Sequence, residues 1–130
     1  MYSMNSTITR WFLTAIILLL LDFVYLSATS GFFQSMIQSI QCGKKMEIRI
    51  IGAVLTYICL VALLNVFIFN SNRGVKEAFL LGICVYGVYE TTNYAIIDKW
   101  LKTSVVVDTL WGGILFGLTT YIINRWYSKF

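Results

Sequence analysis

The fold class this sequence predicts is an all-α integral membrane bundle of four transmembrane helices, with a short interfacial amphipathic helix between helices one and two. Two observations carry that reading. Apolar residues make up 58% of the chain and charged residues only 12%, with mean hydropathy +0.77, far from the balance of soluble domains. The apolar residues gather into four stretches, about 11–28, 48–69, 78–97 and 105–123, each close to the roughly 20 residues a helix needs to cross a bilayer. The 130 residues therefore read as one transmembrane domain, 1–130, with no separate soluble catalytic unit.

The first stretch begins at Trp11, after Arg10. Small residues from Ser27 to Gly31 resemble the end of a signal sequence, but Asp22, Phe23, Val24 and Tyr25 do not suit a cleavage region, so the stretch is retained as a span. Beyond it, Phe32, Phe33, Met36, Ile37 and Ile40 recur at offsets of four and eight, while Gln34, Ser35, Gln38, Ser39 and Gln41 fill the other face. That pattern predicts an amphipathic helix of about ten residues, too short to span and suited to the interface. The second stretch is the cleanest, interrupted only by Thr56, Tyr57, Cys59 and Asn65, and reads as scaffold.

The third stretch is the most polar. Tyr86 lies four residues before Glu90, and Asn93 and Tyr94 three and four after it, which puts them on one helix face, with Thr91 and Thr92 beside them. The fourth stretch carries Asp108 and Trp111, then Gly113 and Gly117 in a small-xxx-small pattern that favours close helix contact, as do Gly82 and Gly87. The connections 70–77 and 98–104 are short, so neighbouring helices run antiparallel.

With four spans both termini share one side, here side A. Side A carries Arg10, Arg73, Lys76, Arg125 and Lys129, and side B carries Lys44, Lys45, Arg49, Lys99 and Lys102. The tie leaves the bundle's orientation open. Asn5-Ser6-Thr7 forms a glycosylation sequon on side A.

Asp22, Glu90 and Asp108 all fall in the side B half of their spans. An ionised acid near a bilayer centre costs about 2.5 to 3.5 kcal/mol on insertion scales, so each requires a partner, a proton or a cation. Aromatic residues accompany them: Tyr25 lies three residues from Asp22, Trp111 three from Asp108, and Tyr86 and Tyr89 flank Glu90. The candidate pocket is therefore Asp22, Tyr25, Tyr86, Tyr89, Glu90, Asn93, Asp108 and Trp111. Its ligand would be a small cation, a protonated amine over aromatic rings, or a lipid headgroup. Purely structural readings compete with this. Asp108 would cap helix four, Asp22 would bond across to another helix, Trp100 and Tyr127 would form an interfacial belt, and Lys99 or Lys102 would reach in to neutralise an acid.

Several chemistries are excluded. With no histidine there is no Ser-His-Asp triad and no histidine-ligated metal or haem, and no CxxC, P-loop or GxGxxG motif occurs. Cys42, Cys59 and Cys84 do not make a disulfide framework. The net charge of +4 comes from span ends and leaves no nucleic-acid footprint. Cofactor and metal stay unassigned, and whether the chain is an enzyme stays undecided. The readings in play are an acid and aromatic pocket that binds, moves or modifies its ligand, a structural or assembly protein with virion or homo-oligomer partners, and a lipid-directed enzyme using paired carboxylates.

Three segments carry a family resemblance: Asp22-Phe23-Val24-Tyr25-Leu26, Tyr86-Gly87-Val88-Tyr89-Glu90-Thr91-Thr92-Asn93 and Asp108-Thr109-Leu110-Trp111-Gly112. Together they resemble the signatures of a small four-span family, domain of unknown function 2177, predicted membrane proteins of bacteria and large DNA viruses. That family usually has aspartate where this chain has Glu90, and a proline after helix two that this chain lacks. The resemblance implies that helix one is retained and that Asp22, Glu90, Asn93, Asp108 and Trp111 form the family's polar set. It implies no activity.

Overall fold

The computed structural model describes residues 4–127. Among them the regular elements are all helical: α1 (Met4–Ile40), α2 (Ile50–Leu63) running on into a π-helical turn (Leu64–Phe69), α3 (Val75–Ile96) and α4 (Lys102–Trp126). Lys129 and the side chain of the sequon's Asn5 lie outside the described residues.

The first helix corrects one expectation. The amphipathic segment after residue 28 is helical but not separate, because α1 continues without a break for 37 residues. At about 1.5 Å per residue it is roughly 55 Å long, well beyond the ~30 Å apolar thickness of a bilayer. No proline interrupts it, and its small polar residues are satisfied in place: Thr29 Oγ1 donates to the Tyr25 carbonyl at 2.8 Å and Ser30 Oγ to that of Ser27 at 3.3 Å. The helix stops where Gly43 adopts φ 93° and its amide turns back to the Gln38 carbonyl at 2.8 Å, a left-handed ending suited to glycine.

Packing is inverted relative to a soluble protein. Phe12, Phe23, Ile51 and Val88 point outward, Ile51 being 76% exposed, while Thr14, Asp22, Asn65, Glu90, Ser104, Thr119 and Thr120 are buried. Such an arrangement suits a lipid surround, where apolar side chains face the solvent and polar ones face each other. The apolar core runs through Leu18, Leu60, Leu64, Ile68, Leu115, Phe116 and Ile123.

By length and composition α1, α2 with its π turn, and α4 qualify to cross a membrane. α3 has the length, 22 residues, but Glu90, Thr91, Thr92 and Asn93 dilute its apolar content. It lies alongside α4 in the most extensive helix contact of the molecule. The approach is closest at Gly82, where an added Cβ would stand 2.7 Å from the Gly112 carbonyl carbon and 3.0 Å from the Gly113 Cα. Gly112 and Gly113 thus make the contact predicted for Gly113 and Gly117, since Gly117 has only ordinary contacts of 3.7 Å and more with Phe79 and Val75. Pairing of Gly82 with Gly112 and of Gly87 with Thr109 makes the two helices antiparallel, so that Glu90 and Asp108 come within about one turn of each other.

Candidate functional site

The side B acids sit in a layer where four helices meet. α1 and α4 run in opposite directions, and each carries an acid followed three residues later by an aromatic. Three residues advance a helix by about 4.5 Å, so the two motifs overlap head to tail. Each aromatic then reaches the acid of the other helix. Tyr25 on α1 donates to Asp108 Oδ1 at 3.0 Å, and Trp111 Nε1 on α4 donates to Asp22 Oδ1 at 2.9 Å. The two rings stack between these bonds, 4.6 Å apart and 3° from parallel. The pairing of acid and aromatic expected within each helix is therefore an exchange between helices.

Asp22 has a protein donor on each oxygen, since its second oxygen, Oδ2, accepts the Tyr57 hydroxyl from α2. Glu90 is different. Its Oε1 accepts Trp100 Nε1 and Ser104 Oγ, both at 2.8 Å, while Oε2 is buried without a donor. Glu90 is 0% exposed and lies within side-chain hydrogen-bonding reach of Asp108. Two carboxylates bring no donor of their own, so their approach calls for a positive charge between the oxygens: a proton, a cation or a ligand's ammonium.

Beside this pair lies a cavity of about 500 Å³, lined by Asp22, Tyr25, Tyr57, Tyr86, Glu90 and Asp108 among others. That volume lies within the range of small-molecule sites. Of the eight sequence candidates, Asp22, Tyr25, Tyr86, Tyr89, Glu90 and Asp108 line the cavity. Trp111 stands behind it as donor and stacking partner. Asn93 is half-buried and not part of the wall. The predicted polar face of α3 divides, with Tyr86 and Glu90 turned inward and Tyr94, Thr91 and Thr92 exposed.

The competing structural readings resolve individually. Asp108 does not cap α4, which begins at Lys102 with Leu101 in the capping position. Trp100 is no belt residue; it is 6% exposed and bonded to Glu90. Lys99 does not neutralise an acid, its Nζ donating instead to the Ser39 carbonyl at 3.3 Å, and Lys102 is exposed. Among the described residues no cluster of three or more acids or cysteines could hold a metal ion.

Sequence reasoning missed Tyr57, Trp100 and Ser104. Tyr57 was visible as a hydroxyl inside the cleanest apolar stretch, but Trp100 and Ser104 reach Glu90 from across the α3–α4 connection and gave no periodic signal. It also missed a second polar cluster at side A. Arg10, 5% exposed, donates through Nε to Asn65 Oδ1 at 2.8 Å and through Nη2 to Asn70 Oδ1 at 2.6 Å, with its guanidinium 5.6 Å from the Phe69 ring centre. Residues five apart diverge on an α-helix; the π turn, closed by Asn70 N to Asn65 O at 2.9 Å, brings Asn65 and Asn70 to one side.

No curated protein and no solved structure matches the chain. The model of one family does, over residues 7–123, a range that contains the acid layer, the aromatic exchange and the Arg10 cluster. The chain belongs to that family, the predicted membrane proteins of DUF2177.

Proposed function

We propose that this is a small multi-pass membrane protein whose side B cavity binds a positively charged ligand carrying an ammonium group, and holds it between Glu90 and Asp108 under the aromatic rings. One observation carries the reading: Glu90 Oε2 is fully buried with no donor, next to a second carboxyl group and at the wall of a cavity. A buried acid in that state costs several kcal/mol unless a proton or a cation completes it. Tyr25, Tyr57, Tyr86 and Tyr89 offer ring faces and hydroxyls around the same space, which favours an organic amine over a bare metal ion.

A structural or assembly role is the second reading, and Asp22 favours it. With both oxygens bonded by Tyr57 and Trp111, Asp22 fastens α1, α2 and α4 together. The two roles divide between the acids of one layer. The test is binding of propylammonium to the full chain in lipid nanodiscs, by calorimetry. Glu90→Gln weakens it at least tenfold while the helical circular dichroism and melting temperature hold. Unchanged affinity in that variant, or no binding to the native chain, sinks the ligand reading and leaves the structural one.

A further inference from the structure

The walls around the acid layer say more about the ligand. Polar groups form a narrow band, and apolar side chains line the cavity on its side B flank. Toward side B stand Phe33 and Ile37 of the extended α1 and Met46 and Ile48 of the connection to α2, all lining the cavity. Phe33 and Ile37 follow Asp22 by 11 and 15 residues, so along α1 they lie roughly 16 and 22 Å further out. The charge is thus the deep end of the cavity and the apolar wall its outer end. No lysine or arginine is among the described residues that line it, and Lys99 is held at the Ser39 carbonyl.

On this basis we infer that the ligand is an amine with an apolar substituent and no phosphate, its ammonium at Glu90 and Asp108 and its hydrocarbon part against Phe33, Ile37, Met46 and Ile48. This rests on the ligand reading above. A phospholipid headgroup carries an anionic phosphate a few bonds from its ammonium. In this cavity that phosphate would meet carboxylates and hydrocarbon with no cation to answer it, a heavily penalised arrangement. A bare small amine would fill the acid band and leave the outer wall uncovered. A substituent of several carbons covers it, gaining about fourfold in affinity for each methylene transferred from water.

The test compares ethylammonium, hexylammonium and 6-aminohexyl phosphate on the full chain in nanodiscs, with Glu90→Gln as the control for partition into lipid. Hexylammonium should bind at least tenfold tighter than ethylammonium, and 6-aminohexyl phosphate at least tenfold weaker than hexylammonium. In Ile37→Ser the preference for hexylammonium over ethylammonium should shrink at least threefold. Binding that depends on Glu90 but treats ethylammonium and hexylammonium alike, or accepts the phosphate equally, overturns this inference and leaves the ammonium site standing. Binding of none of the amines, or binding indifferent to Glu90→Gln, overturns both.

Discussion

The two ends of the bundle bury opposite charges and treat them in opposite ways. At side A, Arg10 is held by Asn65 and Asn70 and faces the Phe69 ring, so neutral amide oxygens and a ring answer the cation at close range. At side B, Glu90 receives two donors on one oxygen and none on the other, with a second acid at hand and a cavity alongside. A buried charge answered by its own protein works as a fastener, joining α1 to the end of α2. One with an open oxygen at a cavity wall is the arrangement on which the proposed ligand site rests. Burial alone does not separate these cases, since Arg10 and Glu90 are both almost wholly removed from the surface.

The largest effect that would sharpen this contrast lies at the fastener. Arg10→Met should cost about 2 to 4 kcal/mol, because Asn65 loses its partner while buried and Asn70 loses its own, and propylammonium affinity should stay within twofold. Unfolding in detergent and calorimetry measure the two. If binding falls with stability, the ends are coupled and the division is wrong. Next comes the exchanged pair. Trp111→Phe keeps a ring to stack on Tyr25 but removes the bond to Asp22, and should cost about 1.5 to 3 kcal/mol, the range for hydrogen bonds to charged groups. Combined with Tyr25→Phe, which also keeps its ring, in a double-mutant cycle, it should show about 0.5 to 1.5 kcal/mol of coupling between the two exchanged bonds. A coupling near zero would mean that the two bonds stand independently.

Glu90→Gln should change stability by less than about 1 kcal/mol, in either direction. The amide oxygen still accepts from Trp100 and Ser104, and the new NH₂ faces Asp108 in place of a like charge. A neutral stability result with lost ligand affinity is the signature of an incomplete group. A loss of 2 kcal/mol or more would instead class Glu90 with Asp22 and Arg10 as part of the fastening.

Much of this was legible from residues alone, for identifiable reasons. The helices follow from apolar run length, and the acids stand out because charge in such runs is costly. The antiparallel order follows from short connections, and with Asp22, Tyr25, Asp108 and Trp111 already in hand it implied the exchange between α1 and α4; the expectation stayed within each helix because spacing was read one helix at a time. The break expected after Ala28 rested on a change of hydrophobic pattern, from a span to an amphipathic face. Such a change says what surrounds a helix and not that it ends. Trp100, Ser104 and the Arg10 cluster were illegible for a different reason: their partners lie across a connection or on another helix, at separations no periodicity encodes. Asn65 looked like a lone interruption of the second span until the π turn gave it Asn70 as a neighbour.

The smallest expected effect separates the incomplete acid pair from an ordinary salt bridge. If the acids were neutralised by a lysine reaching inward from side B, removing that lysine would be costly, because it would strand a buried carboxylate, a loss of about 3 to 5 kcal/mol. Lys99 is the residue best placed for it, next to Trp100, and its ammonium bonds the Ser39 carbonyl at an exposed site. Lys99→Ala should therefore change stability by less than about 0.5 kcal/mol, as exposed polar contacts do, and should leave propylammonium affinity and its loss in Glu90→Gln as they were. The near-absence of an effect carries the argument here. Charge compensation for Glu90 and Asp108 then comes from outside the described side chains, as a proton or a ligand.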